Sequence, residues 1–423
     1  MDIFGILSLI GGLAFFLYGI QLMGSSIEKV SGGRLERLLE KPASSPVRAA
    51  LLGAGVAGLL QSSAATTVMV IGFVNSGIMK LTQAAGIIIG ANVGTTVTAW
   101  ILSLCGLEGS SFWIRMCRPS AFAPVLAAVG VIWLFFVKNE KKKDAGLILV
   151  GFSIMLSGMG AMIQAMRPLG EVPGFQGMLL AFATPILGII AGAVLTALLQ
   201  SSTVSVGLLQ ALSVTGTVTY GAAIPIILGG NIGTCVFAMF SAAGASKNAK
   251  RAAVMHLYFN LIGAVVLLGV FYLLNSFLNF SFLMASASPV GIAAAHTLFN
   301  LITAVLILPF TGGLKKLACM TVRDGASVEP RPLQKVQIVD ERFLGAPAFA
   351  IEQSRQAAIQ MAKRARENLF EAMDLVREYS PEKIKRIGEL ESVVDRYEDE
   401  LGSFLIKLGR KNLTEGDSHT LSI

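Results

Sequence analysis

Apolar runs of membrane-spanning length recur from residue 3 to residue 310, among them 119–137, 145–166, 252–274 and 289–310. A helix of about 20 apolar residues matches the hydrocarbon core of a bilayer, and a soluble domain does not need so many of them. The chain therefore reads as an all-α, polytopic membrane protein. The first run, residues 3–24, has no basic n-region and no small-residue cleavage site, so it reads as a retained span. Composition changes near residue 311. Residues 331–423 hold 15 Lys+Arg and 16 Asp+Glu, the mark of a soluble, charged, near-neutral tail. The other 19 basic and 10 acidic residues lie in the apolar part, where a basic excess reports topology and not affinity for nucleic acid. Cys105, Cys117, Cys235 and Cys319 lack metal-ligand or redox spacing, so free thiols are expected, with a Cys105–Cys117 disulfide as the alternative.

The polar residues of the apolar part fall in a repeat. "LLQSS" at 59–63 recurs at 198–202, and "GANVGT" at 90–95 recurs as "GGNIGT" at 229–234, both at an offset of 139. The same offset of 139 links Gly12 with Gly151, Gly19 with Gly158, Met23 with Met162, Pro46 with Pro185 and Gly77 with Gly216. Two polar motifs in one ungapped register indicate a duplication.

Basic residues give the copies opposite orientation. Residues 25–48 carry Lys29, Arg34, Arg37, Lys41 and Arg48, whereas the counterpart 167–187 carries only Arg167. By the positive-inside rule the first segment is cytoplasmic and the second external. Lys138–Lys143, Lys247–Arg251, Lys315, Lys316 and the tail join the cytoplasmic side; 106–118 and 275–288 join the external side. The apolar pieces 49–60 and 64–78 are each too short to cross, so they read as a re-entrant hairpin with QSS at its tip. Residues 82–105 then cross once, with a helix break expected at "NVGT". The mirrored pieces are hairpin 186–215 and crossing 219–243, with a break expected at "NIGT". The expected architecture is thus two inverted-topology repeats, each with a re-entrant hairpin and a broken helix, plus a soluble helical tail. Its divisions are repeat 1 over 1–138, repeat 2 with an extra span over 145–310, a linker over 311–345 and a helical segment over 346–423. The N-terminus is external. A smaller echo pairs His256 with His296 and Asn260 with Asn300 at an offset of 40.

Polar backbone at membrane depth persists only where protein or a watery cavity satisfies it. Opposed hairpin tips would meet near the midplane, aiming helix N-termini and their free N–H groups at a shared site. No Asp or Glu lies in the intramembrane part of either repeat, which disfavours an organic cation or a carboxylate proton relay. Gln amides, Ser and Thr hydroxyls and helix dipoles suit a tetrahedral oxyanion together with sodium. Asn92 and Asn231 either coordinate ligand or tie the broken backbone. Thr98, Ser103, Ser205, Thr215, His256, His296, Asn260 and Asn300 read as helix-packing residues. No nucleophile–base pair, metal cluster or nucleotide loop is visible, so an enzyme is not expected.

The paired QSS hairpins, each followed by N-x-G-T, resemble the type II sodium–phosphate cotransporters over residues 1–310, including "FLYG" at 16–19 and "H-x-x-F-N" at 256–260 and 296–300. The resemblance implies sodium-driven uptake of inorganic phosphate across a bacterial inner membrane by an alternating-access or elevator-like movement. Sodium is the coupling ion and no other cofactor is expected. It places phosphate at Gln61, Ser62, Ser63, Gln200, Ser201 and Ser202, with Asn92 and Asn231 as further candidates. Sodium candidates are Gln61, Ser63, Thr66, Thr95, Gln200, Ser202, Thr203 and Thr234. Family members often carry three serines after the Gln; here the third positions are Ala64 and Thr203. Residues 347–378 and "SPEK" at 380–383, with Ser380 as N-cap, predict two helices. "ELESVVDRYEDEL" at 389–401 resembles a PhoU-like domain, for which a metal role would fall on Glu391 and Asp395, against the plainer reading of a solvated face. The chain stops at Ile423, short of a full PhoU domain. The expected partners are phosphate, sodium, the bilayer and a second copy of the chain. The main reading is a sodium-coupled phosphate symporter with a cytoplasmic regulatory tail; the competing readings are a phosphate-sensing membrane protein whose output is the tail, and an exporter or channel for phosphate or a related oxyanion.

Overall fold

The computed structural model describes residues 3–31, 34–40, 43, 45–107, 109–323, 339–345, 347–377, 379–411, 413 and 415–422. Its helices are α1 (Ile3–Ser31), α2 (Arg34–Glu40), α3 (Pro46–Leu60), α4 (Ser63–Asn75), α5 (Leu81–Ser103), α6 (Phe112–Cys117), α7 (Pro119–Phe136), α8 (Glu140–Met166) and α9 (Pro173–Ala181). They continue as α10 (Pro185–Leu199), α11 (Ser202–Ser213), α12 (Tyr220–Ser241), α13 (Lys247–Leu278), α14 (Pro289–Ile307), α15 (Thr311–Thr321), α16 (Pro347–Arg377), α17 (Pro381–Gly409) and α18 (Glu415–Ser422). Among the described residues the only β pairing is an isolated bridge between Thr219 and Ser286.

Among the described residues, seven segments are long and apolar enough to cross a membrane: 3–31, 81–106, 119–136, 140–170, 220–241, 247–278 and 289–321. The α3, α4 and α11 helices are apolar but too short, and α9 and α10 meet at 104°. This is the division into crossings and hairpins that the lengths of the apolar runs called for.

The duplication is reproduced element by element. Adding 139 to α3 gives the bounds of α10, and adding it to α2, α4 and α5 gives α9, α11 and α12 to within two residues. Packing repeats as well. The α3 and α5 helices run side by side and parallel, with Gly53 opposite Ile87, Gly90 opposite Ala50 and Gly94 opposite Ala54; the α10–α12 pair repeats this with Gly192–Ile226, Gly229–Ile189 and Gly233–Ala193. The backbones touch: a Cβ at Gly90 would lie 1.8 Å from the Ala50 carbonyl oxygen, and one at Gly229 would lie 2.0 Å from that of Ile189. The α1 helix and its counterpart α8 pack on each other antiparallel and reciprocally, Gly19 against Met155 and Gly158 against Phe16. Gly77 and Gly216, linked by the sequence register, both take left-handed torsions (φ 74° and 78°) where the hairpins end.

Loop contacts sort into two ends. One end gathers residues 74–77, 244–248, 339, 341 and part of α17 around a cavity. The other gathers 105–107, 118–120, 163–167 and 214.

Two expectations change. The α5 and α12 helices run unbroken through "NVGT" and "NIGT". Gly94 and Gly233 serve close approach to Ala54 and Ala193, and the Asn amides are satisfied without opening the helix, as described below. The span beginning at Pro289 continues through α15 to Thr321, so residues 311–321 are helix and not linker; most of the remaining linker, 324–338, lies outside the described residues. Residues 167–187 contain α9, as their counterpart 25–48 contains α2.

In the tail, α16 and α17 lie side by side, with Arg386 bonded to Glu367 at 3.1 Å and Glu371 at 3.3 Å. Such exposed pairs contribute little. The apolar side does more: Ala350, Ile351, Ala357, Leu401, Phe404 and Leu408 join one core with Leu35, Leu39, Phe73 and Val74. Ser380 and Pro381 begin α17 as the sequence indicated.

Backbone-to-backbone packing leaves no room for a side chain. Gly90→Ala and Gly229→Ala are each expected to destabilise the protein by roughly 3 kcal/mol or more, whereas Gly11→Ala, with open space around it, leaves stability unchanged. Thermal unfolding in detergent reads this; parent-like melting of both variants would contradict the paired packing.

Candidate hairpin-tip site

Each hairpin reverses at its glutamine. Gln61 takes φ 56°, ψ 23° and Gln200 takes φ 55°, ψ 19°. Among the described residues only Asn279 shares a positive φ without being glycine. A left-handed side-chain-bearing residue costs about 1–3 kcal/mol, and here the same strained torsion recurs at the same register.

The next residue caps the returning helix. Ser62 Oγ accepts from Ala65 N at 3.1 Å and Ser201 Oγ accepts from Val204 N at 3.3 Å. Each hydroxyl keeps its own proton to donate. The first α-helical bonds are Thr66 N to Ser62 O and Ser205 N to Ser201 O. The N–H groups of Ser63 and Ala64, and of Ser202 and Thr203, therefore have no partner within their helices. Each tip is a helix N-terminus with two backbone donors and a cap hydroxyl, set in a stretch free of carboxylates: none occurs between Glu40 and Glu108 or between Glu171 and Asp324.

The tips differ. Gln61 is buried, with its Oε1 accepting from Thr98 Oγ1 and its Nε2 donating to the Gly58 carbonyl. In the second copy Phe237 stands where Thr98 would be, and Gln200 is exposed. Ser63, Ser202 and Thr203 are buried; Ser62 and Ser201 are half-buried.

The threonine candidates bond to their own helices: Thr66 Oγ1 donates to Ser62 O at 3.0 Å, Thr95 to Ala91 O at 2.9 Å and Thr234 to Gly230 O at 3.1 Å. A hydroxyl whose proton is spent on a carbonyl still offers lone pairs to a cation.

Asn92 and Asn231 are engaged elsewhere. Asn92 Nδ2 donates to Ile88 O at 3.0 Å and its Oδ1 faces His256 Nε2 at 3.4 Å. Asn231 Oδ1 faces His296 Nε2 at 3.2 Å and its Nδ2 donates to Asn300 Oδ1 at 3.4 Å. An amide oxygen only accepts, so both imidazoles carry their proton on Nε2. Both Nδ1 atoms are then acceptors, buried with no hydrogen-bond partner, as is Asn260 Oδ1. The small echo thus has a structural meaning: α13 and α14 supply one histidine to each copy. Along α5, Asn92 stands six residues before Thr98, which puts it roughly 9 Å from the level of its own tip.

The structure therefore groups Gln61, Ser62, Ser63 and Thr66 at one tip and Gln200, Ser201, Ser202 and Thr203 at the other. Among the described residues no hydrogen bond joins the two tips, and none brings Asn92, Asn231, Thr95 or Thr234 to a tip. In the tail, Glu391 accepts from Asn368 Nδ2 at 2.6 Å, and among the described residues no three potential metal ligands cluster. The four cysteines are free. Two contributors were not flagged from sequence. Thr98, assigned to packing, holds Gln61. Gln210 is fully buried and donates to Ala99 O and Pro289 O, both at 2.9 Å; a lone amide inside "GLLQAL" was its signal.

The fold and tips define a polytopic membrane protein with a duplicated hairpin as its polar centre. The chain belongs to the Na+/Pi-cotransporter family, whose sequence model matches residues 15–164 and 174–288. It is 24% identical over 414 residues to an Escherichia coli K12 protein named "Putative inorganic phosphate export protein YjbB", covering 98% of this chain and 73% of that one. A Bacillus subtilis protein, YqeW, named as uncharacterized, is 27% identical over 60% of this chain and 79% of its own length. Human sodium-dependent phosphate transport protein 2B is 32% identical over 98 residues, 23% of this chain and 14% of that one. No solved structure matches.

Removing the Thr98 hydroxyl would strand a buried amide oxygen. Thr98→Val is expected to lose roughly 1–3 kcal/mol, whereas Phe237→Leu in the other copy, which has no such bond to break, leaves Gln200 unaffected. Thermal unfolding of both variants reads the difference; equal stability of Thr98→Val and the parent would contradict the bond.

Proposed function

We propose that the protein is a sodium-coupled symporter of inorganic phosphate, working by alternating access with the two hairpin tips as its ligand-bearing elements. The observation that carries this is the repeated tip: a left-handed glutamine, a capping serine and an open helix N-terminus, twice, with no carboxylate in the surrounding membrane segments. Phosphate oxygens take the serine hydroxyls and the N–H groups of residues 63–64 and 202–203. Sodium takes neutral hydroxyl and amide oxygens, which do not repel the bound anion, and offsets the anion's charge; Gln61, Ser63, Thr66, Gln200, Ser202 and Thr203 are the candidates at the tips, with Thr95 and Thr234 on the crossing helices. Asn92 and Asn231 act through the histidines as ties between helices, not as direct ligands.

The copies are inverted across the membrane in this reading. The antiparallel, reciprocal packing of α1 on α8 supports it, as does the charge difference between residues 25–48 and 167–187. The N-terminus is then external and the tail cytoplasmic, in a bacterial inner membrane, with a second copy of the chain as a further partner.

Export is a second reading, favoured by the name of the E. coli relative. Import and export are two directions of one coupled cycle, so the coupling comes first. In liposomes, labelled phosphate uptake is expected to rise several-fold with an inward sodium gradient and to fall when that gradient is dissipated. Uptake indifferent to sodium would overturn the symporter. Movement only out of the tail side, whatever the sodium gradient, would establish the export reading in its place. Ser62→Gly and Ser201→Gly, which keep most of the cap energy (a few tenths of a kcal/mol are lost) but remove the hydroxyl, are expected to raise the phosphate concentration needed for half-maximal uptake.

A further inference from the structure

The two hairpins differ at their outer ends. The α4 helix finishes Gly72-Phe73-Val74-Asn75; the same register in the second copy reads Ala211-Leu212-Ser213-Val214. The tail docks where they differ. Phe343, on the 3₁₀ turn Glu341–Gly345, is 2% exposed. Its ring lies over Gly72, where an added Cβ would come within 2.8 Å of Cε1 and 3.1 Å of Cζ. It also packs on Phe73, with ring centroids 5.5 Å apart. Beside it Asp340, also 2% exposed, accepts from Asn75 Nδ2 at 2.9 Å. The oxygen of the same amide, Asn75 Oδ1, accepts from Ser246 N at 2.8 Å, just before α13. One side chain thus ties the end of the hairpin to the tail and to the start of α13.

The second copy has neither half of this socket. Ala211 carries the methyl that Gly72 lacks, and Val214 offers no amide. Nothing in the hairpin's own fold requires the glycine, since α11 forms the same helix with alanine there. The glycine and the asparagine fit the tail.

We propose that residues 339–345 are a latch that holds the first hairpin in the arrangement seen, so that the tail sets the rate of transport by engaging or releasing Phe343 and Asp340. This rests on reading the first hairpin as a moving, ligand-bearing element. A buried ring seated on a helix end resists displacement of that end. Any event that draws α16 and α17 away removes Phe343 with them, because those helices share its core. Only one of the two tips is governed, which makes control one-sided across the pseudo-symmetric pair.

The test uses the full chain with two substitutions on opposite sides of the contact. Phe343→Ala empties the socket. Gly72→Ala gives the first hairpin the residue that the second already carries and displaces the ring. Both are expected to speed hydrogen exchange of residues 63–80 by about ten-fold or more and to raise sodium-driven phosphate uptake in liposomes per mole of folded protein. Unchanged exchange would overturn the latch as a restraint. Faster exchange with unchanged or slower uptake would overturn its control of transport and leave the contact as a staple of the fold. If the parent itself shows no sodium-driven uptake, the transport reading fails, and the exchange arm still reports whether the tail restrains the hairpin.

Discussion

A chain that reverses direction inside an apolar layer must satisfy the amides and carbonyls of the turn without water. In this protein the rest of the structure depends on how that is done. Gln61 and Gln200 take the left-handed torsion that closes α3 and α10, and the serine that follows caps α4 and α11. The entering helices are held against full-length crossings by glycine-lined backbone contact, α3 on α5 and α10 on α12. Strain at one residue per copy is offset by a cap and a tightly packed flank. The result is a helix N-terminus positioned inside the span with donors to spare.

Much of this was legible in the sequence because it is written in length and register. Runs too short to cross became hairpins; Pro46 and Pro185 begin their first helices; Gly77 and Gly216 close them with positive φ. Misreadings arose where one residue type serves two physical ends. Glycine next to asparagine suggested a broken helix, but Gly94 and Gly233 exist for close approach, and the asparagines find partners on α13 and α14. Those partners lie 164 and 65 residues away, a separation that no local pattern encodes. The bond from Thr98 to Gln61 was hidden for the same reason: it depends on the parallel pairing of α3 with α5, which follows from the fold and not from spacing. Tip-to-tip convergence follows from symmetry alone, and among the described residues no hydrogen bond joins the tips.

Departures from symmetry are as informative as the repeat. Phe237 for Thr98 frees the second glutamine; Thr203 for Ala64 adds a hydroxyl to the second tip; Ala211 for Gly72 and Val214 for Asn75 leave the second hairpin without a dock for the tail. The copies share a scaffold and differ in the side chains they place on it. Within a sodium–phosphate carrier, two equivalent tips would open to opposite faces by the same motion, while unequal side chains allow one to bind more tightly and one to be regulated.

The central claim is that both hairpin tips bind the same phosphate. A structure of the protein with phosphate and sodium tests it most directly. The account predicts one phosphate bonded to Ser62 or Ser63 and also to Ser201 or Ser202, with sodium on neighbouring hydroxyl or amide oxygens. Phosphate bound away from both tips, or bound to a single tip in every state of the transport cycle, would contradict it.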